Sequence, residues 1–109
     1  MKCKILRYKV RDQELTEVEP NQTEGLVKGS KGYVHVKVDL DSSWKQYRLV
    51  IAQFSNSYDF EDDKAALLIN GQCAVPDSIC QGDIIYMRIY GKSNNVLNVT
   101  NKVAIRQEG

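Results

Sequence analysis

Histidine is almost missing from this chain: His35 is the only one. General acid and base chemistry therefore has no imidazole pair to draw on, and His35 falls on a strand face beside Lys37, with no serine or cysteine nucleophile opposite it. A closed zinc site normally takes four ligands, and His35 with Cys73 and Cys80 supplies too few. Cysteine is scarce too. Three residues, Cys3, Cys73 and Cys80, are an odd count without C-x-x-C spacing, which fits reduced thiols in a cytosol and not a disulfide framework. A Cys73–Cys80 bridge is sterically conceivable, but nothing in the spacing requires it.

Long apolar runs are absent as well. Nothing approaches the ~20 residues that a membrane-spanning helix needs, and Met1-Lys2-Cys3-Lys4-Ile5 enters an alternating strand instead of a signal-peptide apolar stretch. Synthesis in the cytoplasm is the expectation. Charge of one sign is missing too: fifteen basic residues face fourteen acidic ones, a net charge of +1, so no electrostatic footprint points to nucleic acid or anionic lipid. Hydrophobic residues at 42% and charged residues at 27% are ordinary globular values, which places residues 1–109 in a single folded domain.

What is present is strand after strand. Residues 33–40 alternate cleanly, with Val34, Val36, Val38 and Leu40 on one face and Tyr33, His35, Lys37 and Asp39 on the other. Residues 2–11 alternate with one phase slip, which a bulge near Ile5-Leu6 would absorb. A short strand over 14–19 ends at Pro20-Asn21, and the glycine-punctuated stretch 25–32 reads as a loop, since it lacks the G-K-[ST] of a phosphate loop. Trp44 opens an apolar run to Phe54 that reads as a central strand, and the polar stretch 55–63 as a surface loop. Residues 65–69 meet Asn70-Gly71, the strongest short hairpin signal, and 72–75 lead back out. Strands at 83–90 and 96–106 follow, with Ile85, Met87, Ile89, Leu97, Val99, Val103 and Ile105 as the core row.

This pattern predicts an all-β fold: a two-sheet antiparallel sandwich, immunoglobulin-like, of about seven strands, with at most one short helical turn near 76–81 ending on a left-handed Gly82.

Candidate chemistry is thin. Asp39, Asp41, Asp59, Glu61, Asp62 and Asp63 lack EF-hand spacing and read as solvated loop carboxylates, so no metal and no cofactor is expected. Asn21-Gln22-Thr23 and Asn98-Val99-Thr100 match the glycosylation rule but read as chance matches without a secretory signal. Trp44 reads as core. The stripe Tyr86, Arg88 and Tyr90, on the face opposite Ile85, Met87 and Ile89, is the candidate contact surface, because Tyr and Arg are enriched at binding hot spots. No enzymatic constellation of nucleophile, base and oxyanion donor is legible. Two functions follow from the residues: a protein-contact module, or a carbohydrate-binding sandwich in which Trp44, Tyr86 and Tyr90 stack on sugar rings while Asn94 and Asn95 bond hydroxyls.

The order of segments from Ser43-Trp44 through Leu67-Leu68-Ile69-Asn70-Gly71, Val75-Pro76, Gly82-Asp83, Ile89-Tyr90-Gly91 and Thr100-Asn101-Lys102-Val103-Ala104-Ile105-Arg106 resembles N-terminal modules of bacteriophage and prophage structural proteins of Firmicutes, of baseplate, tail or head-fibre type. The resemblance covers roughly the last two thirds of the chain. It implies a compact sandwich that anchors or oligomerises, with other virion structural proteins or itself as partner, and a place in the virion after cytoplasmic synthesis.

Overall fold

A computed structural model describes residues 3–18 and 26–108. Two sheets face each other across one core. The first has the order β2-β1-β3-β6 and is built from β1 (Lys4–Arg11), β2 (Glu14–Glu17), β3 (Val34–Leu40) and β6 (Gln72–Ala74). The second has the order β5-β4-β7-β8, from β5 (Lys64–Leu67), β4 (Leu49–Ser55), β7 (Ile84–Ser93) and β8 (Val96–Val99), with β9 (Val103–Arg106) also on β7. The all-β sandwich expected from the strand pattern is what forms. All pairs are antiparallel except β1 with β3.

Alternation decides which side chains fill the gap between the sheets. Leu6, Tyr8 and Val10 of β1, Val34, Val36 and Val38 of β3, Ala52 and Phe54 of β4, and Ile85, Met87 and Ile89 of β7 are all buried in one cluster. Each fully buried valine, leucine, isoleucine, phenylalanine or methionine among them contributes about 1.5–3 kcal/mol. Cys3 and Ile5 are simply exposed, and the register from Lys4 to Val10 against β3 is continuous, so the expected bulge at Ile5-Leu6 does not form. Alternation there is regular once Ile5 is placed outside.

The bulge lies elsewhere. β7 pairs Tyr90 with Val99 but Met87 with Val103, so three steps on one side oppose four on the other. Ile89 N–H donates to the Thr100 hydroxyl at 2.9 Å, and Thr100 N–H to Ile89 O at 2.9 Å, across the extra residue. This reverses the facing of odd-numbered residues. Ile105 is buried and Val103 half-buried, whereas Leu97 is 62% exposed and Val99 shares the outer face with Tyr90, correcting the expected single core row. The bulge also divides the expected strand 96–106 into β8 and β9.

That division brings the strands to nine, against the about seven expected. The turn at Asn70-Gly71 forms as the dipeptide predicts. Ile69 and Gln72 exchange backbone hydrogen bonds at 3.1 Å around a tight turn with φ of 54° and 77°, as expected of that dipeptide. Its two arms part immediately, however: β5 joins β4 in one sheet and β6 joins β3 in the other. Gly71 is needed twice over, for its positive φ and because a Cβ would lie 2.7 Å from Val38 O.

Trp44 is buried as expected, but it sits in a helical turn (Ser42–Gln46) instead of opening β4. Asp41 caps that turn by accepting from Ser43 N–H at 2.9 Å. The indole N–H donates to Asp12 O at 2.8 Å, and the ring lies edge-on to Tyr47 with centroids 5.2 Å apart. Gly91 makes room for both rings, since a Cβ there would stand 2.5 Å from Tyr47. A second helical turn (Ile79–Gln81) falls where one is expected, but Gly82 closes it with φ of −93°, not in the left-handed region. The expected stop at Pro20-Asn21 and the Asn21-Gln22-Thr23 match lie outside the described residues.

Candidate interaction face

The strands of the second sheet turn one face to the core and the other outward. On the outward face β7 presents Tyr86, Arg88, Tyr90 and Lys92, and the register sets Ile51 of β4 beside Tyr90, Gln53 beside Arg88 and Leu49 beside Lys92. β5 adds Leu67 next to Ile51, and β8 adds Val99 next to Tyr90 and Leu97 next to Lys92. The stripe expected from sequence is therefore in place as a geometric feature, with its three side chains half-buried.

One half of this face is covered by the chain itself. The segment 56–63 is anchored by Asn56, whose amide donates to Ile79 O and Ile84 O at 2.9 Å each, and by Ser57, whose hydroxyl accepts from Glu61 N–H at 3.0 Å. Phe60, held at φ of 55° and only 7% exposed, is laid under the Arg88 guanidinium at 4.5 Å. Arg88 Nε also donates to Gln53 Oε1 at 2.6 Å. Tyr58 stands edge-on to Tyr86 at 5.6 Å and carries Lys102 Nζ 3.9 Å above its ring. Tyr86 and Arg88 are thus committed to intramolecular contacts.

The other half is open. Leu67, Ile51, Tyr90 and Val99 form a transverse apolar row, flanked by Leu49 and Leu97; Leu49 is 46%, Leu67 48% and Leu97 62% exposed. A groove of about 250 Å³ runs between Arg88, Tyr90, Leu97 and Val99, and one of about 350 Å³ between Arg48, Leu49 and Lys92. The charged side chains lining both grooves are all cationic. Sequence reasoning found Tyr90 here but missed Leu97 and Val99, because the bulge at Thr100 reverses their facing, and Leu49 and Leu67, whose exposure depends on which strands neighbour them.

The other candidate residues scatter. His35 is half-buried with Nε2 3.2 Å from Gly32 O, and no cluster of three or more potential metal ligands occurs among the described residues. Three of the acidic candidates have separate tasks, and Asp39 lies in β3 and not in a loop: it pairs with Arg11 at 3.0 Å, Asp41 caps a turn, and Asp63 accepts from Gln53. The Ser43 hydroxyl first, and then Asp12 N–H, hold the Asp41 carboxyl below its usual 3.8. All three cysteines are free thiols; burial pushes Cys73 up to about 12 and raises Cys80 as well. Trp44 is only 2% exposed, which removes it from a sugar-stacking platform. Among the described residues no helix is long and apolar enough to cross a membrane. No family model, curated protein or solved structure matches the chain.

Proposed function

We propose that this chain is a non-enzymatic structural or assembly module that works through protein–protein contacts, in the virion of a phage or prophage. The observation that carries the contact reading is the half-open outer face of the second sheet. Its apolar row of Leu67, Ile51, Tyr90 and Val99, with Leu49 and Leu97 beside it, is bordered by polar and cationic groups. An apolar patch with a polar rim, centred on a tyrosine, has the composition of a binding surface. The virion setting rests on the resemblance of residues 43–106 to phage structural modules.

Co-expression with the products of flanking genes tests both parts. The expected result is a stable complex with a capsid, tail or baseplate protein that Leu49→Asp and Leu97→Asp each abolish while the fold is retained. Flanking genes of metabolism, or a complex indifferent to both substitutions, would overturn the proposal.

A further inference from the structure

The hydrogen-bond pattern of the sheets fixes which backbone groups are left facing outward at each edge. In an antiparallel ladder the residue pairs alternate, and the N–H and C=O of a non-hydrogen-bonded pair point away from each other. At β2, Val18 N–H reaches Arg7 O at 3.3 Å, so Leu15 turns its groups outward. There the Asn101 amide meets it like a strand partner: Leu15 N–H donates to Asn101 Oδ1 at 2.7 Å and Asn101 Nδ2 donates to Leu15 O at 3.1 Å. At β8, Gln13 Nε2 donates to the outward Val99 O at 3.4 Å. At β6 the outward Gln72 is taken by Ile69, and Pro76 follows two residues after the strand. β9 carries the charged Arg106 outward and is met at Glu108 by Leu26 and Lys28. Each of these edges is met at one point or more by another segment of the chain, although Ala74 of β6, Leu97 of β8 and Ala104 of β9 also turn their backbone groups outward.

β5 differs. Leu68 N–H donates to Val50 O at 3.0 Å, which makes Val50/Leu68 a hydrogen-bonded pair and turns the N–H and C=O of both Ala65 and Leu67 to the open edge. Among the described residues nothing bonds to them. Neither is charged, no proline interrupts the strand, and Leu67 and Ile69 are 48% and 65% exposed beside it. Unpaired, alternating donors and acceptors specify the chemistry of what fits: an extended strand.

We infer that the occupant is β5 of a second copy of this chain, in an antiparallel pair with its two-fold axis at Ala66. That register sets Ala65 against the partner's Leu67, large against small on the outer face, and each such pair exchanges both hydrogen bonds. Lys64 then lies opposite the partner's Leu68 and Asp63 opposite the partner's Ile69, so like charges never face each other. The apolar row on the outer face reaches the joint from both sides. Pairing two short strands buries less than the ~1,200–2,000 Å² of a standard interface, so association is weak and reversible. The inference deepens the contact-module reading by naming one partner.

Sedimentation equilibrium over a wide concentration range, with amide shifts followed by NMR, tests it. The expected mass climbs from one chain toward two, with the amides of Ala65 and Leu67 shifting most. Ala65→Pro, which removes a donor that bonds nothing within the chain, weakens association by about tenfold or more, and Leu67→Lys does the same by a side-chain route that needs no backbone change. A mass of one chain at the highest concentration, or a dimer that survives whichever of the two variants folds, would overturn the inference. The contact-module reading would still stand if such a monomer bound a flanking-gene product through Leu49 and Leu97.

Discussion

Replacing Asn101 by alanine tests the most specific contact that joins the two sheets. Asn101 lies in the bulge between β8 and β9 of the second sheet, yet its amide satisfies both outward backbone groups of Leu15 in β2 of the first, at 2.7 and 3.1 Å. A net hydrogen bond contributes about 1 kcal/mol, so loss of both should destabilise by about 2 kcal/mol. For a domain of this size that is a fall of about 9 °C in Tm. Urea unfolding should show a lower midpoint at unchanged slope. The Leu15 amide should exchange faster at native conditions, while Asn95→Ala in the exposed β7–β8 turn changes stability by less than about 0.5 kcal/mol. A change under ~0.5 kcal/mol for Asn101→Ala, with Leu15 exchange unaltered, would refute the idea that this side chain closes the β2 edge.

Gly91→Ala should destabilise by about 1–3 kcal/mol, measured by denaturant unfolding, because its Cβ would meet the Tyr47 and Trp44 rings at 2.5 and 2.9 Å. Trp44→Phe should cost about 2 kcal/mol by the same measurement, through the lost bond to Asp12 O and the smaller ring. The Asp41 carboxyl has a folded value depressed below 3.8, so its contribution is present above that pH and lost as pH falls through the depressed value. The stability difference between wild type and Asp41→Asn should accordingly shrink toward zero in acid unfolding series. Alkylation near pH 8 should modify the exposed Cys3 first, with Cys73, pushed up to about 12, and buried Cys80 reacting only on unfolding, as read by mass spectrometry.

Local period carried much of the fold. The alternation of Val34, Val36 and Val38, and of Ile85, Met87 and Ile89, reports directly which face is dry, and all six are buried. Asn70-Gly71 announced its turn through its tolerance of positive φ. What alternation cannot report is a change of phase: the extra residue at Thr100 to Lys102 puts Leu97 and Val99 outside while Ile105 stays inside, though each occupies an odd position in one alternating stretch. Nor can a turn dipeptide say whether its arms remain paired, and here β5 and β6 go to different sheets. The parallel β1–β3 pair is non-local and leaves no mark in either strand. For the candidate site, the outward facing of Tyr86, Arg88 and Tyr90 was legible from β7 alone. The covering of Tyr86 and Arg88 by Tyr58 and Phe60 was not, because it depends on how the polar segment 56–63 folds back.

The contact surface can be mapped most directly by hydroxyl-radical footprinting of the complex formed with a flanking-gene structural protein. Labelling of Leu49, Tyr90 and Leu97 should fall in the complex, while Tyr33, 44% exposed just before β3, keeps its free-chain reactivity. Unchanged labelling of Leu49 and Leu97 with loss at Tyr33 would place the contact on the other sheet and contradict the account.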